Sequence, residues 1–194
     1  MYEYFKGKLV EKTPTEVIID CNGIAYFINI SLQSYSQISD SGEVKLYSHL
    51  VVKEDSHTIF GFAKKGERNL FRLLISVSGV GANTARVILS GMSTDEIANA
   101  IVTENVEILK SVKGIGTKTA QRIILDLKDK VAKGETSTEL FTESHNTSKE
   151  EALSALIMLG FAKKAADKAL DKVIKNEGIS TTVEDLVRFA LKIL

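Results

Sequence analysis

Two short stretches carry the residues best suited to chemistry in this chain. Gly79-Val80-Gly81 and Gly114-Ile115-Gly116 stand 35 positions apart, and their surroundings repeat too: Thr84 falls on Thr119, Ala85 on Ala120, Ile88 on Ile123 and Leu89 on Ile124. Both copies read V-x-G-[VI]-G-x-x-T-A-x-x-[IV]-[IL], and each leads into a helix-like apolar run. Paired glycines let a connecting turn bend sharply with positive φ. The small aliphatic between them, Val80 or Ile115, can tuck inward and lock the turn. Successive N–H groups of the turn and of the next helix's first turn then point outward. With the helix dipole they form an anion site, which a nucleic-acid phosphate fits without any base being read.

The side chains near these turns add to the site unequally. Lys118 and Arg122 lie one helical turn apart and so share a face, where they can make charge-assisted contacts with phosphate. In the first copy Asn83 stands where Lys118 stands, and Arg86 is the nearest cation. The expected phosphate-binding set is Gly79, Val80, Gly81, Asn83 and Arg86 in one copy and Gly114, Ile115, Gly116, Lys118, Thr119 and Arg122 in the other. The pattern has the form of a tandem helix–hairpin–helix. A solenoid needs more than two repeats. The dinucleotide fingerprint needs a preceding strand and a third glycine, which neither copy supplies.

Other chemistries find little support. There is no GxxxxGK[ST], so no P-loop for ATP hydrolysis. The one cysteine, Cys21, has no intrachain disulfide partner, which fits a reducing cytoplasm. No His/Cys/Asp cluster suggests a metal, and nothing calls for a cofactor. The rival reading is a helix–hairpin–helix repair enzyme, a glycosylase or nuclease subunit, which needs a catalytic acid beside a base pocket. Asp126 is the only acid suggestively placed, and it lies within the helix that the second hairpin opens. No catalytic residue is therefore assigned.

The elements that must position the glycine pairs fall into three parts, an α+β organisation. Residues 1–63 read as five strands: YFKGKLVEK, EVIID, IAYFINI, EVKLYSHLVV and HTIFGF. Asn22-Gly23 between the second and third has the composition of a type I′ turn. Five such strands suggest a small β-barrel, of which the OB-fold is one candidate. Residues 64–132 read as helices. ERNLFRLLISV places Leu70, Phe71, Leu74 and Ile75 on one face, Ser93 and Glu96 form a capping-box pattern, and Ile97 and Ile101 extend that helix's apolar face. Residues 133–147 are polar and rich in Ser and Thr, a flexible linker holding a solvated His145. Residues 148–194 read as three short helices. Ser148 and Glu151 cap the first, Gly160 and Gly178 end the first two, and Leu156, Leu159 and Phe161 belong to a thin core.

The formal net charge is zero, but it is segregated. Residues 1–63 hold 5 Lys/Arg and 8 Asp/Glu, residues 64–130 hold 11 and 7, and residues 131–194 hold 9 and 10. The basic third is the one with both glycine pairs. No apolar run approaches the ~18 residues needed to span a bilayer, and the N-terminus lacks the pattern of a secretion signal.

With these motifs in view, the chain resembles the RuvA family, the Holliday-junction-recognition subunits of bacterial branch-migration machines. The resemblance runs nearly end to end. FKGKLVEKTPTEVIID and NGIAYFINI are similar to the family's OB-fold, LFRLLISVSGVGANTARVILSGMS and VKGIGTKTAQRIILDLKDK to its tandem helix–hairpin–helix domain, and the tail to its three-helix domain. The resemblance implies that Glu54 and Asp55 are an acidic pin at a hairpin tip, repelling phosphates where four DNA arms meet. It implies a homotetramer on an open four-way junction, or two tetramers face to face as an octamer. It also implies the hexameric RuvB ATPase as a partner docking on 148–194, the RuvC resolvase as a further partner, and no membrane. One departure stands out: family members tend to carry a basic residue where this chain has Asn83.

Overall fold

The computed structural model describes residues 2–132, 148–177 and 182–194. The chain divides into two compact units, Met1–Leu140 and Phe141–Leu194. The expected linker with His145, and Gly178, lie outside the described residues.

Strands form where β-branched and aromatic residues alternate with polar ones. They are β1 (Tyr4–Lys12), β2 (Glu16–Cys21), β3 (Ile24–Ile30), β4 (Glu43–Val52) and β5 (His57–Phe62). They close into a barrel in the order β1-β2-β3-β5-β4, with β4 returning to β1. All pairings are antiparallel except β3 with β5. The arrangement is OB-like. Asn22 and Gly23 both take positive φ, 56° and 91°, as the type I′ turn requires. Phe5, Val17, Ile19, Ile28, Ile30 and Leu46 fill the interior.

The strand pattern left a gap at 31–42, and a short helix α1 (Leu32–Gln37) occupies part of it, capped by Ser31. The central helices follow: α2 (Lys65–Ser76), α3 (Ala82–Gly91), α4 (Thr94–Val102), α5 (Val106–Lys110) and α6 (Thr117–Ala132). Leu70, Phe71 and Leu74 are buried and Ile75 packs beside them, so one face of α2 faces the core. The Ser93–Glu96 capping box is formed in both directions. The barrel has its own core, and β5 also contributes Phe60 and Phe62 to the core of the helices. Phe71 of α2 lies against Phe60 at 5.1 Å and Phe62 at 4.9 Å between ring centres, both from β5.

Two adjacent residues of α2 fasten that seam. Glu67, only 2% exposed, accepts hydrogen bonds from the hydroxyls of Ser31 and Ser34. Ser34 Oγ in turn accepts from the Ala63 N–H at 2.8 Å. Arg68 donates to the Glu3 carbonyl at 2.9 Å and to its carboxylate at 2.7 Å. Burial pushes the Glu67 carboxyl above its ordinary range, and the two serine hydrogen bonds pull partly against that.

In the second unit, α7 (Ser148–Met158), α8 (Lys163–Glu177) and α9 (Val183–Ala190) pack around Ala152, Leu156, Ala166, Leu170, Val173 and Leu186. Two expectations are corrected here. Ser148 is already helical, within α7, and so is not its cap. Leu159 is exposed rather than core. The helix ends at Met158, and Gly160, with φ of 98°, turns the chain away. The Phe161 N–H reaches back to Leu156 and the Gly160 N–H to Ile157, the paired bonds of a Schellman cap. Leu159 therefore leaves the face it would have shared with Leu156 in a continuing helix, while Phe161 packs partly buried against the core.

Candidate nucleic-acid interface

The two glycine pairs fold into two turns with matching hydrogen bonds and matching glycine φ. In the first, between α2 and α3, the Val80 N–H donates to the Val77 carbonyl at 3.0 Å. In the second, between α5 and α6, the Ile115 N–H donates to the Val112 carbonyl at 3.1 Å. Each is a four-residue turn whose third position needs positive φ. That position is Gly79, at 90°, and Gly114, at 93°. Val80 and Ile115 are 5% and 6% exposed and lock the turns into the core as expected. Ala85 and Ala120 are fully buried, and their N–H groups close the first helical bonds onto the Gly81 and Gly116 carbonyls at 2.9 and 3.0 Å.

The second glycine of each pair differs from the expectation. Gly81 has φ of −83°, and Gly116 is likewise not in the left-handed region. A β-carbon built on either would meet nothing within 4 Å. Internal packing and backbone strain therefore leave room for a side chain at both positions. Gly81 is the N-cap of α3 and supplies no side-chain cap, and Gly116 has no side chain to cap α6. In the same unit α4 and α5 are capped by Ser93 and Asn105. The first-turn N–H groups of α3 and α6 thus have no hydrogen-bond partner among the described residues and lie at the positive ends of two helix dipoles.

The side chains sort unevenly around these turns. Lys118 is exposed at the start of α6, with no hydrogen-bonding or ionic partner among the described residues. Thr119 beside it is half-buried, and Asn83 is exposed on α3. Arg122 is exposed and donates to the Ser78 carbonyl in the first turn at 3.2 Å, so the two hairpins lie side by side. Arg86 points elsewhere: its guanidinium donates to the Thr15 carbonyl at 3.2 Å and to Asn29 Oδ1 at 2.9 Å, both in the barrel. Sequence reasoning passed over Lys113, exposed at the turn position that matches Ser78 and also unpartnered among the described residues. Its place inside V-x-G was the available signal.

Glu54 and Asp55 occupy the four-residue connection between β4 and β5, closed by the Lys53 N–H to the Ser56 carbonyl at 2.8 Å. Both are exposed. Asp55 accepts only a local bond from Ser56 Oγ, and neither carboxylate has a cationic partner among the described residues. Two uncompensated negative charges thus stand at one hairpin tip of a unit whose described residues also include unpartnered first-turn amides and free lysines. Asp126 is exposed on α6, without the burial that tunes a catalytic carboxylate.

Comparison with known proteins matches nearly the whole sequence. A family model for the RuvA N-terminal domain matches residues 1–61, one for a SAM-like helix-hairpin-helix tandem matches 71–129, and one for the RuvA C-terminal domain matches 148–194. Among similar proteins is one from Christiangramia forsetii, 56% identical over 192 residues and 99% of each chain, named Holliday junction branch migration complex subunit RuvA. Proteins of the same name from Flavobacterium psychrophilum and Cytophaga hutchinsonii are 50% and 49% identical, again over 99% of each chain.

Proposed function

The chain belongs to the RuvA family, and on that premise we propose that it is the DNA-binding subunit of a branch migration complex, holding four-way Holliday junctions without reading their sequence. The observation that carries this reading is the pair of matched turns whose second glycines are required neither by backbone conformation nor by internal packing. Glycine there lets a sugar–phosphate backbone approach main-chain donors, a contact that fixes position and carries no base information. Gly79, Val80 and Gly81 shape the first grip, with Asn83 beside it. Gly114, Ile115 and Gly116 shape the second, with Lys118, Thr119 and Arg122 supplying hydroxyl and charge-assisted contacts. The first site has amides and the neutral Asn83 but no cation, and is the weaker of the two.

Glu54 and Asp55 act by repulsion. In a homotetramer their tips gather at the centre of the junction, where negative charge disfavours continuous duplex and keeps separated strands apart. Repetition of weak grips at fixed geometry gives the assembly its affinity. Residues 148–194, joined through 133–147, dock the RuvB ATPase, which supplies the work, and the chain itself carries no catalytic site. The helix–hairpin–helix enzyme reading has no observation in its favour. Among the described residues no helix is long and apolar enough to cross a membrane, and the work belongs in the cytoplasm with the DNA.

The test is competition binding of the full-length protein to a labelled four-way junction against linear duplex carrying the same arm sequences. The reading expects strong preference for the junction, indifference to arm sequence, and steep weakening with salt. Equal affinity for junction and duplex would refute it.

A further inference from the structure

Arg86 stands one turn into α3, the nearest cation to the first glycine pair, yet its guanidinium is committed to the barrel. It donates to the Thr15 carbonyl, which also accepts the Ile30 N–H at 2.9 Å, and to Asn29 Oδ1. Asn29 continues the connection, its Nδ2 donating to the Ile59 carbonyl on β5 at 3.4 Å. β5 is the strand that leaves the Glu54–Asp55 tip. Two side chains in series, Arg86 and Asn29, therefore link the helix opened by the first hairpin to the strand that carries the acidic loop. The far end of α3 is held separately: Ser90 Oγ accepts from the Leu32 N–H at 3.1 Å, and Gln33 Nε2 donates to the Met92 carbonyl at 2.6 Å. Near its N-terminus, Arg86 is the side chain that holds α3 to the barrel by hydrogen bonds among the described residues. No carboxylate among them pairs with it, so its bonds run to neutral acceptors whose direction fixes its geometry.

We propose that Arg86 is a positioning residue that sets the spacing between the first phosphate-binding hairpin and the acidic tip, and so sets how sharply the protein distinguishes a branched junction from plain duplex. The inference rests on the proposed function. A duplex asks only that a hairpin meet a phosphate. A junction asks that the hairpins sit on the arms while the tip sits at the crossover, and that double condition depends on the angle at which α3 is seated. Without the Arg86–Asn29 link, α3 stays packed in the core through Ala85, Ile88, Leu89 and the preceding Val80 and anchored through Ser90 and Met92, but the angle at which its hairpin end seats on the barrel is no longer fixed by hydrogen bonds.

The experiment compares full-length wild-type protein with Arg86→Lys, Asn29→Ala and Arg86→Gln, measuring affinity for a four-way junction and for duplex over a range of salt. Thermal unfolding confirms that each variant folds. Lysine keeps the charge but lacks the planar fork that reaches two acceptors, and Asn29→Ala removes an acceptor without altering any charge. The expected result is that both lower the junction-to-duplex preference by about three- to tenfold, with duplex affinity and its salt slope unchanged. Preference retained in both would overturn the proposal. So would Arg86→Gln weakening all DNA equally with a salt slope shallower by about one, the signature of a phosphate contact. A wild-type protein without junction preference would overturn the proposed function itself, a result distinct from either.

Discussion

The guanidinium of Arg122, on α6, donates to the main-chain carbonyl of Ser78, in the turn before α3, at 3.2 Å. The second hairpin's helix is thereby fastened to the first hairpin's turn. Arginine has five N–H donors in a fixed fork, so this bond leaves others free to meet phosphate.

The two glycines of each pair should separate stability from binding. Gly81→Ala and Gly116→Ala meet no internal clash and should shift stability by only about 0.5 kcal/mol, the loss of an N-cap glycine being offset by a stiffer unfolded chain. Junction affinity should nevertheless fall at least about tenfold, since each β-carbon enters the space of a phosphate. Gly79→Ala and Gly114→Ala instead force left-handed φ on alanine and should each cost about 1–2 kcal/mol of stability. Thermal unfolding beside gel-shift titration reads both. Alanine at 81 and 116 with full DNA affinity would contradict the role given to the amides.

Charge at the hairpins should appear in the salt dependence. Lys118→Gln should weaken junction and duplex alike and reduce the slope of log affinity against log salt by about one per subunit engaged. Asn83→Lys should do the reverse, supplying the first hairpin with the cation it lacks. Affinity titrations at several salt concentrations decide this. An unchanged slope for Lys118→Gln would place that side chain off the DNA.

The acidic tip should act on selectivity alone. Reversing both charges, Glu54→Lys with Asp55→Lys, should raise duplex affinity and reduce junction preference by about three- to tenfold. The loop is closed by the main-chain bond from Lys53 to Ser56, so the fold should not change. Unaltered preference would reduce the tip to an ordinary solvated turn.

Glu67 makes a prediction in pH. Its native carboxyl is raised by burial, so between the ordinary carboxyl range and that raised value the folded state holds a proton the unfolded chain has released. Stability from this group is therefore greatest at low pH and declines as pH rises through the window. Glu67→Gln removes that decline. The difference in unfolding midpoint, variant minus wild type, should grow from pH 4 to pH 7. Glu3 and Asp40, held low by Arg68 and Lys12, act oppositely in both proteins and cancel. Parallel pH curves would contradict the assignment.

Much of this was legible in the sequence because it is local. The five strand segments were marked by their alternation and by Asn22-Gly23, and the hairpins by a repeat that fixes both φ and burial within a few residues. What was missed is long-range. Glu67 and Arg68 read as two charges at the polar start of α2, and nothing near them in sequence announces Ser31, Ser34 or Glu3 as partners. Arg86 was expected on phosphate because it is the nearest cation to the first glycine pair. Its bonds to Thr15 and Asn29 depend on how α3 seats on the barrel, which no spacing encodes. Leu159 failed for a related reason: heptad-like spacing places it with Leu156, but the glycine that follows ends the helix first.

The account stands most directly on the amides of residues 82–84 and 117–119. Hydrogen exchange of the full-length protein, read on peptides spanning 79–86 and 114–122, should show these first-turn amides exchanging fast in the free protein and slowing at least about tenfold when a four-way junction is bound. Exchange that stays equally fast while the junction remains bound would place the DNA on some other surface.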